Sequence, residues 1–253
     1  VATLAGHTGF VTACAVMPDG QHVVSASWDQ TLKVWELASG RAVATLAGHT
    51  GWVNACAVMP DGRHVVSTSH DHTLKVWELG SERAVATLAG HTDTVRACAV
   101  TPDGRHVVSA SDDKTLKVWE LASGRAVATL AGHTRGVRAC AVTPDGRYVV
   151  SASADRTLKV WELASGRAVA TLAGHTNWVN ACAVTPDGRQ VVSASSDQTL
   201  KVWNLATYAC RLTHHGDATY HAVAVTATAV LAGDIAGAVW FLEMPPSMVS
   251  PLP

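Results

Sequence analysis

The chain has 253 residues, 48% of them hydrophobic and 15% charged, and 19 Lys and Arg against 20 Asp and Glu leave a formal charge of −1. That length and apolar content exclude disorder and allow a sizeable core. The charge balance removes the broad attraction that nonspecific nucleic-acid or membrane-surface binding needs.

The first residues, Val1–Leu4, repeat the outer-strand sequence Val43–Leu46, so the chain opens inside a pattern and is read as a piece of a longer protein. Phe10–Val16 then forms a first strand ending at Pro18-Asp19-Gly20, where Pro presets φ and Gly takes the tight corner. His22–Ala26 is a second strand, followed by a polar turn from Ser27 to Gln30. Thr31–Leu37 alternates Leu32 and Val34 with Lys33 and Trp35 as a third strand should. Ala38-Ser39-Gly40 leads into a fourth strand at Ala42–Leu46. Four antiparallel strands joined by hairpin turns make one unit.

The unit recurs. Gly-His stands at His7, His49, His91, His133 and His175, a constant step of 42 residues from His7 to His49 onward. Cys14, Cys56, Cys98, Cys140 and Cys182 keep that step. A period of this size without a helical pattern points to a radially repeated all-β fold. Thr207–Leu212 is the expected fourth strand of unit five. Thr219–Thr226, Ala229–Gly233 and Ala238–Glu243 are three strands of a degenerate sixth. Val1–Leu4 is the candidate to supply its missing fourth strand and close a ring of six. Residues 1–243 are read as one domain and Met244–Pro253, rich in proline, as a disordered tail.

Gly-His, Pro-Asp-Gly, Ser-x-Asp and a Trp ending the third strand make these units resemble WD repeats (WD40) of a β-propeller. The Trp-Asp pair is here Trp-Glu, or Trp-Asn at Trp203. The ending Ala232–Glu243 resembles the last repeat of bacterial NTPases of the STAND/NACHT type, which implies the C-terminal sensor of a signalling protein. The WD resemblance also implies a buried chain from the Trp indole to Ser, His and Asp. In unit one these are Trp35, Ser25, His7 and Asp29, followed by Trp77/Ser67/His49/Asp71 and Trp119/Ser109/His91/Asp113. Units four and five supply Trp161/Ser151/His133/Asp155 and Trp203/Ser193/His175/Asp197. A hydrolase triad needs substrate access and an oxyanion hole, and nothing calls for five copies of one active site, so no catalytic residue is expected. The cysteines stand one per unit with no C-x-x-C, so buried free thiols in a reducing, cytoplasmic setting are expected, with no metal and no cofactor.

Differences between units cluster at five positions. Two residues after the His stand Gly9, Gly51, Asp93, Arg135 and Asn177, then Phe10, Trp52, Thr94, Gly136 and Trp178. Further on come Thr12, Asn54, Arg96, Arg138 and Asn180. The network Asp is flanked by Trp28, His70, Asp112, Ala154 and Ser196 before it, and by Gln30, His72, Lys114, Arg156 and Gln198 after it. All lie on connections at the same end of a four-stranded unit, the top face through which WD repeats bind partners. Phe10, Trp28, Trp52 and Trp178 are expected as aromatic anchors, with Asn54, His70, Asn177 and Asn180 as adaptable polar neighbours. Arg135, Arg138 and Arg156 form a basic sector. The expected partner is a protein or peptide with an apolar anchor and an acidic segment, and the expected state a monomeric ring, or a swapped oligomer where the ring is incomplete. The alternative is a self-assembly module with no dedicated ligand. An enzyme would have to hide in the irregular unit six, at His214, His215, Asp217, His221 and Asp234.

Overall fold

A computed structural model describes residues 3–243. The described chain is all-β, with strands, turns and bends and no helix, and forms six blades of a β-propeller. Blade one contains β1 (Val11–Val16), β2 (His22–Ser27), β3 (Thr31–Glu36) and β4 (Arg41–Ala47). Blade two contains β5 (Val53–Val58), β6 (His64–Ser69), β7 (Thr73–Glu78) and β8 (Arg83–Ala89). Blade three contains β9 (Val95–Val100), β10 (His106–Ser111), β11 (Thr115–Glu120) and β12 (Arg125–Ala131). Blade four contains β13 (Val137–Val142), β14 (Tyr148–Ser153), β15 (Thr157–Glu162) and β16 (Arg167–Ala173). Blade five contains β17 (Val179–Val184), β18 (Gln190–Ser195), β19 (Thr199–Asn204) and β20 (Cys210–His215). Blade six has β21 (Tyr220–Val225), β22 (Ala229–Asp234) and β23 (Val239–Glu243). Strand order follows chain order in every sheet.

The chain divides into two compact units at Thr129 and Leu130. In the first, Val24, Ala26, Leu32 and Val34 of blade one pack against Val53, Val65 and Trp77 of blade two. Blade two meets blade three in the same way through Val66, Leu74 and Val76 against Val95, Val107 and Trp119. In the second unit, Val150, Ala152 and Leu158 of blade four meet Val179, Val191 and Trp203 of blade five. Ala194 and Leu200 then pack on Tyr220 and Ala232 of blade six. One face of each sheet is therefore built from small and β-branched residues, and the other carries the large indole.

Two bulges recur. In the first strand of each of blades one to five one residue has no partner, as when Val11 pairs with Ser27 but Ala13 already pairs with Ala26. The extra residue is Thr12, Asn54, Arg96, Arg138 or Asn180. A bulge turns its side chain out of the sheet's alternation, so each of these is re-aimed. A second bulge between Val34 and Trp35 leaves Val43 unpaired and exposed on the outer strand, and Val85 and Val169 repeat it.

Three expectations change. The fourth strand of blade five starts at Cys210, three residues later than Thr207. Asn204 Oδ1 accepts hydrogen bonds from the Ala206 and Thr207 amides, and Tyr208 takes a left-handed φ of 59°, so this stretch is a turn. The clasp by Val1–Leu4 is not seen among the described residues. Blade six has three strands, Thr3 and Leu4 form none, and Val1 and Ala2 lie outside the described residues. Leu4 instead stands beside Gly40 of blade one, where a Cβ would lie 3.8 Å from Leu4 Cδ2. Cys14, expected to be buried, is exposed. The proline-rich tail, Met244–Pro253, lies outside the described residues.

Candidate functional site

Each of blades one to five holds the same four-residue chain. In blade three, Trp119 Nε1 donates to Ser109 Oγ at 2.8 Å, and Ser109 Oγ meets His91 Nε2 at 2.6 Å. His91 Nδ1 meets Asp113 Oδ2, also at 2.6 Å. A carboxylate only accepts, so Nδ1 carries the proton and Nε2 accepts from the serine hydroxyl. The other oxygen of Asp113 accepts from the Thr115 amide and hydroxyl, and Oδ2 also from the Thr92 amide. The chain thus fastens the loop entering the first strand to the turn entering the third. Gly90 completes it: its φ is +155° and a Cβ there would stand 3.3 Å from Trp119 Cη2, so the indole requires glycine.

Burial alone would push these aspartates up, but the hydrogen bonds outweigh it. Asp29, Asp71, Asp113 and Asp155 lie well below the ordinary carboxylate value, and Asp197 is lowered to about 2. His91 and His175 are lowered by burial, which exceeds the opposing pull of Asp113 and Asp197. Ser67, Ser109, Ser151 and Ser193 are wholly buried and engaged on both sides. These hydroxyls fasten the blades and present nothing to a substrate. The residue after each Asp is left-handed without being glycine: Gln30, His72, Lys114, Arg156 and Gln198, at φ between 64° and 75°.

The variable positions divide by what their side chains touch. The bulge residues Thr12, Asn54 and Asn180 are struts between blades. Thr12 Oγ1 donates to Val53 O at 2.7 Å and Asn54 Nδ2 to Val95 O at 2.9 Å. Asn180 Nδ2 donates to Tyr220 O at 2.8 Å and Ser196 Oγ at 2.9 Å. Thr94 is 3% exposed, its hydroxyl 3.2 Å from His70 Nδ1, so it offers no surface. The bulge, invisible to strand periodicity, lets Thr12, Asn54 and Asn180 reach the neighbouring blade's backbone, and Thr12 stays exposed while doing so. Arg96 is held by Asp112, Nε to Oδ2 at 2.8 Å, which neutralises both.

Among the exposed variable residues of the first unit are three aromatics, Phe10, Trp28 and Trp52. Phe10 meets Trp28 edge to face at 5.1 Å, and Trp28 stacks on Trp52 at 4.4 Å with planes 12° apart. Trp52 meets His70 edge to face at 5.0 Å. The expected separate anchors are one ladder crossing two blades. In the second unit the Arg138 guanidinium lies 4.5 Å over the Trp178 ring, while Arg135 and Arg156 are exposed.

Blade six replaces the network with an aromatic cluster. Trp240 Nε1 donates to Asp234 Oδ2 at 2.8 Å, and His214 stands 5.8 Å from Trp240 and 6.4 Å from Tyr220. Asp234 is lowered, mainly by that indole hydrogen bond. Among the described residues no three His, Cys, Asp or Glu side chains gather as metal ligands.

The pattern described as WD domain, G-beta repeat matches residues 1–36, 40–78, 82–120, 124–162 and 166–204. Among curated proteins, MST50-interacting protein 11 of Pyricularia oryzae is 50% identical over 38 residues, 15% of this chain and 12% of that protein. The small ribosomal subunit protein RACK1 of Neurospora crassa is 49% identical over 37 residues, with the same two shares. The ribosome biogenesis protein BOP1 homolog of Drosophila grimshawi is 47% identical over 38 residues, 15% of this chain and 5% of that protein. Each likeness spans about the length of one repeat and a small part of the relative. Five matched repeats, on blades that each carry the Trp–Ser–His–Asp chain, place this protein in the WD-domain, G-beta repeat family.

Proposed function

We propose that the loop rim bearing the aromatic ladder is a docking surface for a protein or peptide with an apolar or aromatic anchor and an acidic segment, and that the protein acts as a non-enzymatic recognition scaffold. The observation that carries this reading is the ladder of Phe10, Trp28 and Trp52, exposed yet fixed by ring contacts that end on the half-buried His70. Exposed tryptophans are the residues most enriched at binding hot spots, and a pre-ordered stack loses little side-chain freedom on binding. Arg135 and Arg156, exposed in the second unit beside the Arg138–Trp178 pair, suit acidic side chains. The name of one relative, MST50-interacting protein 11, itself describes a protein partner. The likeness of the chain's ending to STAND-type repeats supports a sensor module within a larger bacterial signalling protein.

Selection of a displayed random-peptide library on the wild type tests the reading. It should enrich peptides that pair an aromatic or large aliphatic residue with Asp or Glu. Trp52→Ala should weaken those peptides by about 2 kcal/mol, about 30-fold. Enriched peptides that bind Trp28→Ala, Trp52→Ala and Trp178→Ala as tightly as the parent would rule the rim out.

A further inference from the structure

In the second unit, the turn between β13 and β14 and the turns on either side of β18 and β19 that lie away from the rim surround a cleft of about 530 Å³ between blades four and five. Val160 and Leu205 line it with apolar surface and Tyr148 and Tyr208 with rings, while Arg189, Asn204 and Asp145 supply its polar groups. The same turns of blades one and two, in the first unit, enclose a cleft of about 490 Å³, so the cleft itself belongs to the repeat. Both volumes fall within the range of about 300–1,000 Å³ typical of small-molecule sites.

Three departures from the repeat meet in the cleft of blades four and five. Tyr148 stands where blades one to three have His22, His64 and His106. Asn204 stands where blades one to four have Glu36, Glu78, Glu120 and Glu162. Tyr208 stands where blades one, three and four have Gly40, Gly124 and Gly166. The chain has three tyrosines, and Tyr148 and Tyr208 both line this one cleft. The last departure runs against backbone preference. Gly40, Gly124 and Gly166 take left-handed φ angles of 69°, 68° and 68°, and Tyr208 takes 59°. A bulky side chain in that region is strained, and strain of this kind gathers at binding sites.

The departures also change the charge. The cleft of blades one and two sets Asp19, Glu78 and Glu82 against Arg63, and ties His22 to Asp19 at 2.7 Å. In the cleft of blades four and five the carboxylates reduce to Asp145, whose Oδ1 accepts from Thr143 Oγ1 at 2.6 Å and from the Arg147 amide at 3.0 Å. The Arg189 guanidinium makes no hydrogen bond or ion pair among the described residues. Arg147 adds a second positive charge beside the cleft, over the Tyr148 ring at 5.6 Å. Asn204 Oδ1 is taken by the Ala206 and Thr207 amides, so its NH2 group is the half left to donate.

We propose that the cleft between blades four and five binds a small aromatic carboxylate. The ring of the ligand packs on Tyr148 and Tyr208 over the apolar surface of Val160 and Leu205. Its carboxylate takes charge-assisted hydrogen bonds from Arg189, with the Asn204 NH2 group as a second donor. The cleft of blades one and two, with three carboxylates against one arginine, repels the same ligand. This site lies at the other end of the blades from the rim and stands independently of the docking surface there.

Calorimetric titration of the whole chain with indole-3-acetate, 2-naphthoate and 4-hydroxyphenylacetate, and with their primary amides, tests this. At least one acid should saturate the protein with a Kd of about 1 mM or tighter, and its amide should bind about tenfold more weakly. Arg189→Gln should weaken the acid about tenfold and leave the amide unchanged. Tyr208→Gly, which restores the residue of blades one, three and four, should weaken acid and amide alike. It should also raise the urea midpoint, because glycine relieves the left-handed strain, so its lost binding is not a loss of fold. Trp178→Ala should leave acid binding unchanged, which separates this cleft from the rim. The proposal is overturned if no acid saturates, if acid and amide bind equally, or if Arg189→Gln or Tyr208→Gly binds the acid as the parent does. Loss of acid binding in Trp178→Ala overturns it too, by moving the site to the rim.

Discussion

Trp28 and Trp52, in different blades, lie face to face with centroids 4.4 Å apart and planes 12° from parallel. Two indoles held this way couple their excited states, so the wild type should show an exciton couplet in far-ultraviolet circular dichroism. Trp28→Ala and Trp52→Ala should abolish it equally, and Trp178→Ala, whose ring faces Arg138, should not. Each ladder variant should also lose about 0.5–1.5 kcal/mol of stability from the ring contact. A couplet that survives in either ladder variant contradicts the stack.

The buried network predicts a larger effect. Trp119 is 1% exposed, and truncating it to Ala should cost about 3–5 kcal/mol in a denaturant titration. Ser109→Ala removes the group joining Trp119 and His91, leaving a buried N–H and a buried ring nitrogen without their partner. Unsatisfied groups of that kind cost about 1–3 kcal/mol each. The double variant Ser109→Ala/Trp119→Phe should cost less than the two single losses together, since both remove the same hydrogen bond. Strict additivity would mean that indole and serine do not act as a pair.

The fold was largely legible because it rests on repetition. Gly90, His91, Ser109, Asp113 and Trp119 recur in register, and a fixed spacing imposes the same sheet each time. The ladder residues Phe10, Trp28 and Trp52 were legible as exposed aromatics, though their contact was not, since it joins residues of neighbouring blades. The interblade hydrogen bonds of Asn54 and Thr12 were not legible for a different reason. Both residues vary, as binding residues do, but the bulge at Val53 and Val11 turns them onto the next blade's backbone. Cys14 shows the limit of repetition itself. An identical position is not an identical environment: Cys14 is exposed while Cys182 is buried.

Stability should fall as the solution is acidified, in two stages. His91 and His175 are held below the ordinary histidine value of 6.5. Below pH 6.5 the unfolded chain therefore binds protons at these residues that the folded chain refuses, and stability declines. The network aspartates are held below 3.8, so their stabilisation is complete above 3.8 and lost as pH falls through the folded values, near 2 for Asp197. Urea midpoints measured from neutral pH downward should show both declines. A midpoint that stays flat until the carboxylate range would contradict neutral buried imidazoles.

Among blades one to five Thr68 is the one departure from alanine at its position, where the others have Ala26, Ala110, Ala152 and Ala194. It is 0% exposed, and its Oγ1 finds no hydrogen-bond partner. A buried hydroxyl without a partner carries its full desolvation cost, about 1–3 kcal/mol. Thr68→Ala removes that cost and leaves only a small void, because the flanking Ser67 and Ser69 are the same residues that flank alanine in the other blades. The substitution should therefore raise stability by about 1 kcal/mol, read as a higher urea midpoint at an unchanged slope. Thr68→Val, which keeps the volume and removes only the hydroxyl, should gain at least as much. If both variants are less stable than the parent, the hydroxyl has a partner in solution and Thr68 serves blade two as a hydrogen-bonding residue.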